Sequence, residues 1–405
     1  MNFRTKRFLK KRFADYYNNS QACLPHDLTR REWGFIFFDE LPEVVMHRHK
    51  AFSRENEALD YVRGMVPAHA YHSAAYYEFP GASTMKEKKW LGADLIFDLD
   101  ADHLPGKARS YAEMLSNVKS ETGKLLDFLL EDFGFSQNDI SIVFSGGRGY
   151  HIHVRDPKVL ELESAQRREI VDYVSGTGFD YKSVLYKKRK TIKIHDGIKH
   201  HPMEHETVYE MTEMSTWGKR VAEETIKFFE KIRLLGNDAA IMELKKIRGM
   251  TTKKAKNIIQ DIKSFESFEG IHSKIIDAGL DRSASMASVR QSIIEDIGVK
   301  GVEGETDEPV TADTRRLIRL PSSLHGGSGM RVVPLSLSEF RDFEPLDDAV
   351  VFSEKMIDIE VIPPLKPQNS KVEMKGKSFT VTEGKNTLPE YAAIYLMCRG
   401  AAEYA

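Results

Sequence analysis

Cysteine is nearly absent from this chain of 405 residues: Cys23 and Cys398 stand alone, far apart in sequence. Two cysteines support no disulfide framework and suit a reducing compartment. Long apolar runs are missing too, and no window approaches the roughly 18 consecutive apolar residues of a membrane span. The opening Met1-Asn2-Phe3-Arg4-Thr5-Lys6-Arg7 leads into no apolar segment of signal-peptide type, so an intracellular protein is expected. Excess charge is missing as well. Fifty-nine basic residues against 61 acidic ones leave a formal net charge of −2, so only local charge can carry any nucleic-acid binding. A G-x-x-x-x-G-K-[ST] loop does not occur, which argues against an ATPase or helicase. There is no fixed-period repeat and no low-complexity tract.

What is present is a set of chemical motifs. The first is Asp94-Leu95-Ile96-Phe97-Asp98-Leu99-Asp100-Ala101-Asp102. An apolar run of strand type delivers Asp98 and Asp100 at i and i+2, on one face of a strand. Two such carboxylates repel each other unless a cation lies between them. Mg²⁺ or Mn²⁺ suits that arrangement, because hard cations take carboxylate oxygens and keep room for substrate phosphates. Standing alone, a D-x-D is more readily a solvated strand end.

The second motif is Phe144-Ser145-Gly146-Gly147-Arg148-Gly149-Tyr150-His151-Ile152-His153-Val154. Three glycines in four positions permit a tight turn and an anion-binding nest of backbone N–H groups. Arg148 adds a charged planar fork for phosphate. A hairpin turn is the bland alternative; Ser145, Arg148 and His151 around the glycines favour a triphosphate cradle. The third motif joins Asp307-Glu308-Pro309 to Arg315-Arg316-Leu317-Ile318-Arg319-Leu320-Pro321-Ser322-Ser323-Leu324-His325-Gly326-Gly327-Ser328-Gly329. It repeats the same inventory, an acid for metal and bases for phosphate.

Together these segments resemble the motifs of the small, catalytic subunit of archaeal and eukaryotic DNA primases, in the family's order and at similar spacing over roughly residues 1–350. The resemblance implies an α+β, mixed α/β fold: a primase-type catalytic core of β-sheet flanked by helices. It implies that Asp98, Asp100 and Asp307 hold two divalent ions, Mg²⁺ or Mn²⁺, and are catalytic. Ser145, Arg148, His151, Arg319 and His325 then map to contacts with the nucleoside triphosphate, and so does Arg48 in Met46-His47-Arg48-His49. Arg31-Glu32-Trp33-Gly34-Phe35 matches the family's R-E-x-x-F stretch. The implied activity is synthesis of short RNA primers on a single-stranded DNA template during replication, with a large iron–sulfur subunit as heterodimer partner. A stand-alone primase-polymerase, a metal-dependent nuclease and a non-catalytic DNA-binding subunit are the alternatives. One departure stands out. Most members carry a Cys/His zinc knuckle after the D-x-D, whereas Asp102 to Lys124 holds no cysteine. His103 alone cannot supply four ligands, so no structural zinc is expected, and a helix or loop should replace the knuckle.

The remaining pattern suggests how the chain is organised. Residues 1–215 read as the first part of the catalytic core, 216–299 as an inserted helical subdomain, 300–350 as the core's second part and 351–405 as an extension without an assigned role. Lys187, Lys188, Arg189 and Lys190 form the densest basic run, a strand with one cationic face and a candidate track for nucleic-acid phosphates. Residues 247–259 pattern somewhat like a helix-hairpin-helix, although a plain helical bundle is the readier reading. Helices are expected over about 1–20, 107–134, 161–175 and 388–403, and a strand over 373–382.

Overall fold

The computed structural model describes residues 1–21, 23–104, 108–180, 185–192, 204–211, 216–264, 283–304, 306–364 and 370–405, with 185–192 and 204–211 described by backbone alone. In chain order the main elements are α1 (Phe3–Asn19), β1 (Trp33–Phe37), β2 (His47–Lys50), α2 (Glu55–Met65), β3 (Pro67–Ser73), β4 (Ala75–Tyr77), β5 (Trp90–Ala93), β6 (Leu95–Asp100), α3 (Tyr111–Asp127), β7 (Ile140–Phe144), β8 (Gly149–Val154) and α4 (Ser164–Ser175). There follow β9 (Leu185–Ile192), β10 (Glu204–Met211), α5 (Thr216–Leu234), α6 (Asn237–Leu244), α7 (Thr252–Lys263), β11 (Leu317–Arg319), β12 (Val333–Leu335), β13 (Met356–Val361), β14 (Lys371–Met374), β15 (Lys377–Thr380), β16 (Gly384–Pro389), the C-terminal helix Glu390–Cys398 and β17 (Ala402–Tyr404). This is an α+β fold with antiparallel sheets. No helix among the described residues is long and apolar enough to cross a membrane.

Contacts divide the chain into two compact units, residues 1–173 with 305–405, and residues 174–304. The first unit holds two four-stranded sheets, ordered β11-β3-β1-β2 and β12-β7-β8-β6. In the second sheet, alternation sends Phe97, Leu99, Tyr150 and Ile152 to one face and Ile96, Asp98, His151 and His153 to the other. Helix α3 covers the apolar face. Ser110 caps it by accepting from the Glu113 N–H, and Leu115, Val118, Leu125 and Leu126 are buried at helical spacing. Each such side chain contributes about 1.5–3 kcal/mol when fully buried. The opposite face meets the first sheet. Ile96 packs with Ala74, Val310 and Ile318, and the His72 and His153 rings lie 6.3 Å apart. The site opens between these two sheets.

A buried ion pair anchors the start of β6. Arg31 and Asp94 are both inaccessible and 2.8 Å apart. The Tyr76 hydroxyl donates to Asp94 Oδ1 at 2.6 Å and accepts from Arg31 Nη2 at 2.6 Å. Arg31 Nη1 donates to the carbonyls of Ser73 and Ala74, tying β3 to the same point. With every charge paired and every donor used, a fully buried arginine is tolerated. Helix α1 is amphipathic: Leu9, Phe13 and Tyr17 are buried, while Lys10 and Arg12 pair with Asp39 and Glu390.

The C-terminal segment departs from the sequence pattern in two places. The helix expected over 388–403 stops at Cys398, because Gly400 takes φ +70° and turns the chain into β17 beside β13. The strand expected over 373–382 is a hairpin, broken where Lys375 and Gly376 take φ +50° and +65°, as a tight two-residue turn requires.

In the second unit, α5 buries Val221, Ile226, Phe229 and Ile232. Helices α6 and α7 form a hairpin in which Ile247 and Met250 point inward, Gly249 takes φ +73° and Thr251 caps α7. Lys187, Lys188, Arg189 and Lys190 lie on β9, paired antiparallel with β10, and their side chains fall outside the described residues.

Candidate active site

Strand register builds the site. β6 and β8 pair so that Asp98 stands opposite His151 and Asp100 opposite Gly149. Directly opposed residues share a face, so the two carboxylates and the imidazole project together. His151 Nε2 lies 3.4 Å from Asp98 Oδ1. Gly149 admits no side chain, since a Cβ there would lie 2.0 Å from the Leu99 carbonyl oxygen. The third aspartate arrives by a backbone bond: the Asp307 N–H donates to the Asp98 carbonyl at 2.9 Å, and Thr306 Oγ1 donates to the same oxygen at 3.3 Å.

The glycine turn folds around Ser145. Its Oγ accepts from the N–H groups of Gly147 and Gly149, each at 3.3 Å. Those donors therefore turn inward to a side chain instead of forming the open nest that the glycines suggest. Gly146 takes φ +74°, and a Cβ there would meet His325 Cβ at 2.8 Å, so the second and third motifs pack directly together. Arg148 forks onto Asp102 through two contacts of 2.6 Å and reaches Asp100 at 3.5 Å.

Arg319 is held by β11, opposite Tyr71 of β3. Its guanidinium lies 4.7 Å from the Tyr71 ring centroid and hydrogen-bonds His69. Burial pulls its pKa down, yet an arginine stays charged. His325 stacks edge-on against His69, with centroids 5.1 Å apart. Burial, and then the neighbouring Arg319, hold its protonation well below the usual histidine range. Its Nδ1 accepts from the Gly327 N–H at 3.2 Å, which assigns the proton to Nε2 and makes that atom a neutral donor. His151 is also kept neutral: burial lowers its pKa more than Asp98 raises it. Its Nδ1 is buried without a partner among the described residues.

Asp98, Asp100, Ser145, Arg148, His151, Arg319 and His325 line one cleft of about 700 Å³. Two expected residues lie elsewhere. Arg48 is absent from the cleft wall and is paired in bidentate fashion with the buried Glu32, at 3.0 and 3.1 Å. Asp307 sits beside Asp98 through its backbone, and its side chain is not part of the wall. Three oxygen-donor carboxylates fit a hard divalent cation in kind, although among the described residues no three ligand side chains already converge on one point.

Several wall residues carry no motif signal. Tyr71 and Tyr111 line the cleft, and the Tyr111 hydroxyl donates to the Gly147 carbonyl. His69 and Tyr71 alternate on β3, the one local hint that both face Arg319. Asp102 was visible as a neighbour of the D-x-D, but its role as the partner of Arg148 was not. Arg316 and Arg399 add two further cations to the wall.

Comparison with known proteins gives the family. The profile of the family described as DNA primase small subunit matches residues 97–337, from within β6 past the third motif. The chain is similar to the DNA primase small subunit PriS of Methanococcoides burtonii, 46% identical over 407 residues and covering both chains completely. It is 47% identical to the PriS of Methanosarcina barkeri, covering 100% of this chain and 98% of the relative. It is 46% identical to that of Methanocella arvoryzae, with both chains fully covered.

Proposed function

The chain belongs to the archaeal-type DNA primase small subunit family, and on that premise we propose that it synthesises short RNA primers on single-stranded DNA by two-metal nucleotidyl transfer. The observation that carries this reading is the convergence of the D-x-D face with the Ser145 turn, Arg319 and His325 on one cleft. Carboxylates alone would suit a nuclease equally well. The surrounding phosphate-binding groups favour a substrate that arrives as a triphosphate.

Asp98, Asp100 and Asp307 would hold two divalent ions, Mg²⁺ or Mn²⁺, which supply activation of the primer 3′-hydroxyl and neutralisation of the leaving pyrophosphate. The other residues bind and orient. Arg319 and the neutral Nε2–H of His325 donate to phosphate oxygens, where charge builds in the transition state. Ser145 fixes the glycine turn that packs against His325. Arg148 exchanges Asp102 for a phosphate when nucleotide enters. His151 steadies Asp98 as a neutral hydrogen-bond donor. Arg48, which the buried Glu32 holds outside the cleft wall, would meet the nucleotide only where it extends beyond that wall. Lys187, Lys188, Arg189 and Lys190 track template phosphates, a contact that weakens with salt. A large iron–sulfur subunit is the expected partner in initiation, as the resemblance to heterodimeric primases implies.

The test is synthesis on unprimed single-stranded DNA with labelled ribonucleotides and either metal. New oligonucleotides establish the primase. Extension of a supplied primer without initiation assigns initiation to the partner. Degradation of the template without nucleotide incorporation overturns the reading in favour of a nuclease.

A further inference from the structure

The C-terminal segment forms one wall of the cleft, through Ile362–Pro364 and Cys398–Ala401. Its helix is buried from Glu390 to Met397. Ile394 presses on the turn that carries His325, and a Cβ added at Gly329 would lie 2.7 Å from its Cγ2. Glu390 fixes the N-terminal end, paired with Arg12 at 2.6 Å and accepting from Ser353 Oγ at 2.6 Å. The helix is thus held at its start and at its middle, and its C-terminal end delivers Arg399 to the cleft.

Two aromatic rings aim that side chain. The Arg399 guanidinium carbon lies 5.2 Å from the Tyr395 ring centroid and 5.9 Å from that of Tyr111. The two rings are themselves 5.8 Å apart. Tyr111 in turn hydrogen-bonds the carbonyl of Gly147, so Arg399 stands one ring away from the glycine turn. Cation–π attraction holds the guanidinium beside the rings, and its planar N–H fork is the part that matches phosphate oxygens. A cation at a helix C-terminus is also favoured by the helix dipole. That alone, however, asks for no aromatic pair and no place in a cleft wall.

We propose that Arg399 binds the polyphosphate tail of the incoming nucleotide, making the C-terminal segment a working part of the nucleotide site. The proposal rests on the nucleotidyl-transfer reading. Its test therefore begins with a ligand that undergoes no reaction. Inorganic tripolyphosphate with Mg²⁺ is titrated calorimetrically into the full-length protein and into Arg399→Ala, Arg399→Lys and Arg399→Gln.

Removing one charge-assisted contact is expected to weaken tripolyphosphate binding about tenfold or more. Arg399→Lys should recover part of the loss and Arg399→Gln none, although glutamine keeps a planar group for stacking. In nucleotide incorporation, KM for nucleotide should rise by a similar factor while affinity for single-stranded DNA stays unchanged. Unchanged tripolyphosphate affinity in Arg399→Ala overturns the proposal. So does recovery by glutamine but not lysine, which would mean packing alone. Loss of DNA affinity with tripolyphosphate binding intact also overturns it, and assigns the cation to the template. Arg399-dependent tripolyphosphate binding by a wild-type protein that incorporates no nucleotide would leave the phosphate site standing and overturn the polymerase reading.

Discussion

The backbone N–H of Asp307 donates to the carbonyl of Asp98 at 2.9 Å, and Thr306, 208 positions beyond Asp98, bonds the same oxygen. The chain therefore leaves the D-x-D strand, builds a second compact unit and returns to within one hydrogen bond of where it left. The backbone of the third aspartate is therefore fixed beside the D-x-D strand by hydrogen bonding.

The floor of the site should be intolerant of a single methyl group at Gly149. A Cβ there would lie 2.0 Å from the Leu99 carbonyl oxygen, between the two aspartates of β6. Because the obstacle is backbone, relief requires the β6–β8 pairing to open. Gly149→Ala is expected to cost about 3 kcal/mol, as overpacking at an unyielding site does, and to reduce nucleotide incorporation. Urea denaturation at wild-type midpoint would contradict the pairing described.

Asp94 should matter more than its partner Arg31. Removing one member of a buried pair costs about 3–5 kcal/mol, because the other charge is left without compensation. In Asp94→Ala, Arg31 would remain fully buried with only carbonyl and hydroxyl acceptors. In Arg31→Met, Asp94 would still accept from Tyr76 and lie 3.6 Å from Arg155. Asp94→Ala is therefore expected to be the less stable variant in thermal melts. The reverse order would mean that Arg155 does not reach Asp94 in solution.

Stability should fall on mild acidification. His72 and His153 are held well below the usual histidine pKa, first by burial and then by Arg31 for His72 and Arg155 for His153. The unfolded chain then binds more protons than the folded one below pH about 6.5, so stability is complete above that pH and declines beneath it. Denaturation midpoints at pH 7.5 and 5.5 measure this. His153→Leu should flatten the decline, whatever its effect at pH 7.5, and an equally steep decline in that variant would remove His153 from the account.

Arg148 is held by Asp102 through a bidentate contact. Releasing it should help nucleotide binding. Asp102→Asn is expected to lower KM for nucleotide a few-fold, whereas Arg148→Ala should raise it. In the double variant the Asp102→Asn effect should vanish, since its only route is through Arg148. A persistent effect there would assign Asp102 a contact of its own.

The chemistry of this chain was easier to read than its assembly. The D-x-D face, the glycine turn and the basic third motif are local patterns, and local spacing decides which side chains share a strand face. Register is not local. Nothing in either segment says that Asp98 opposes His151, or that Arg319 opposes Tyr71. The neutrality of His151 and His325 follows from burial between two sheets, which no neighbouring residue announces. The early end of the C-terminal helix was signalled by Gly400 but masked by the apolar run before it. That short helix is what brings Arg399 to the cleft.

The most direct test replaces the carboxylates of β6 without changing their shape. Single-nucleotide incorporation on a primed template is measured with Mg²⁺ and with Mn²⁺ for wild type, Asp98→Asn and Asp100→Asn, alongside thermal melts. Wild type should incorporate nucleotide, neither variant should do so detectably with either metal, and both variants should melt at or near the wild-type temperature. Incorporation at the wild-type rate by either folded variant would contradict the assignment of this site.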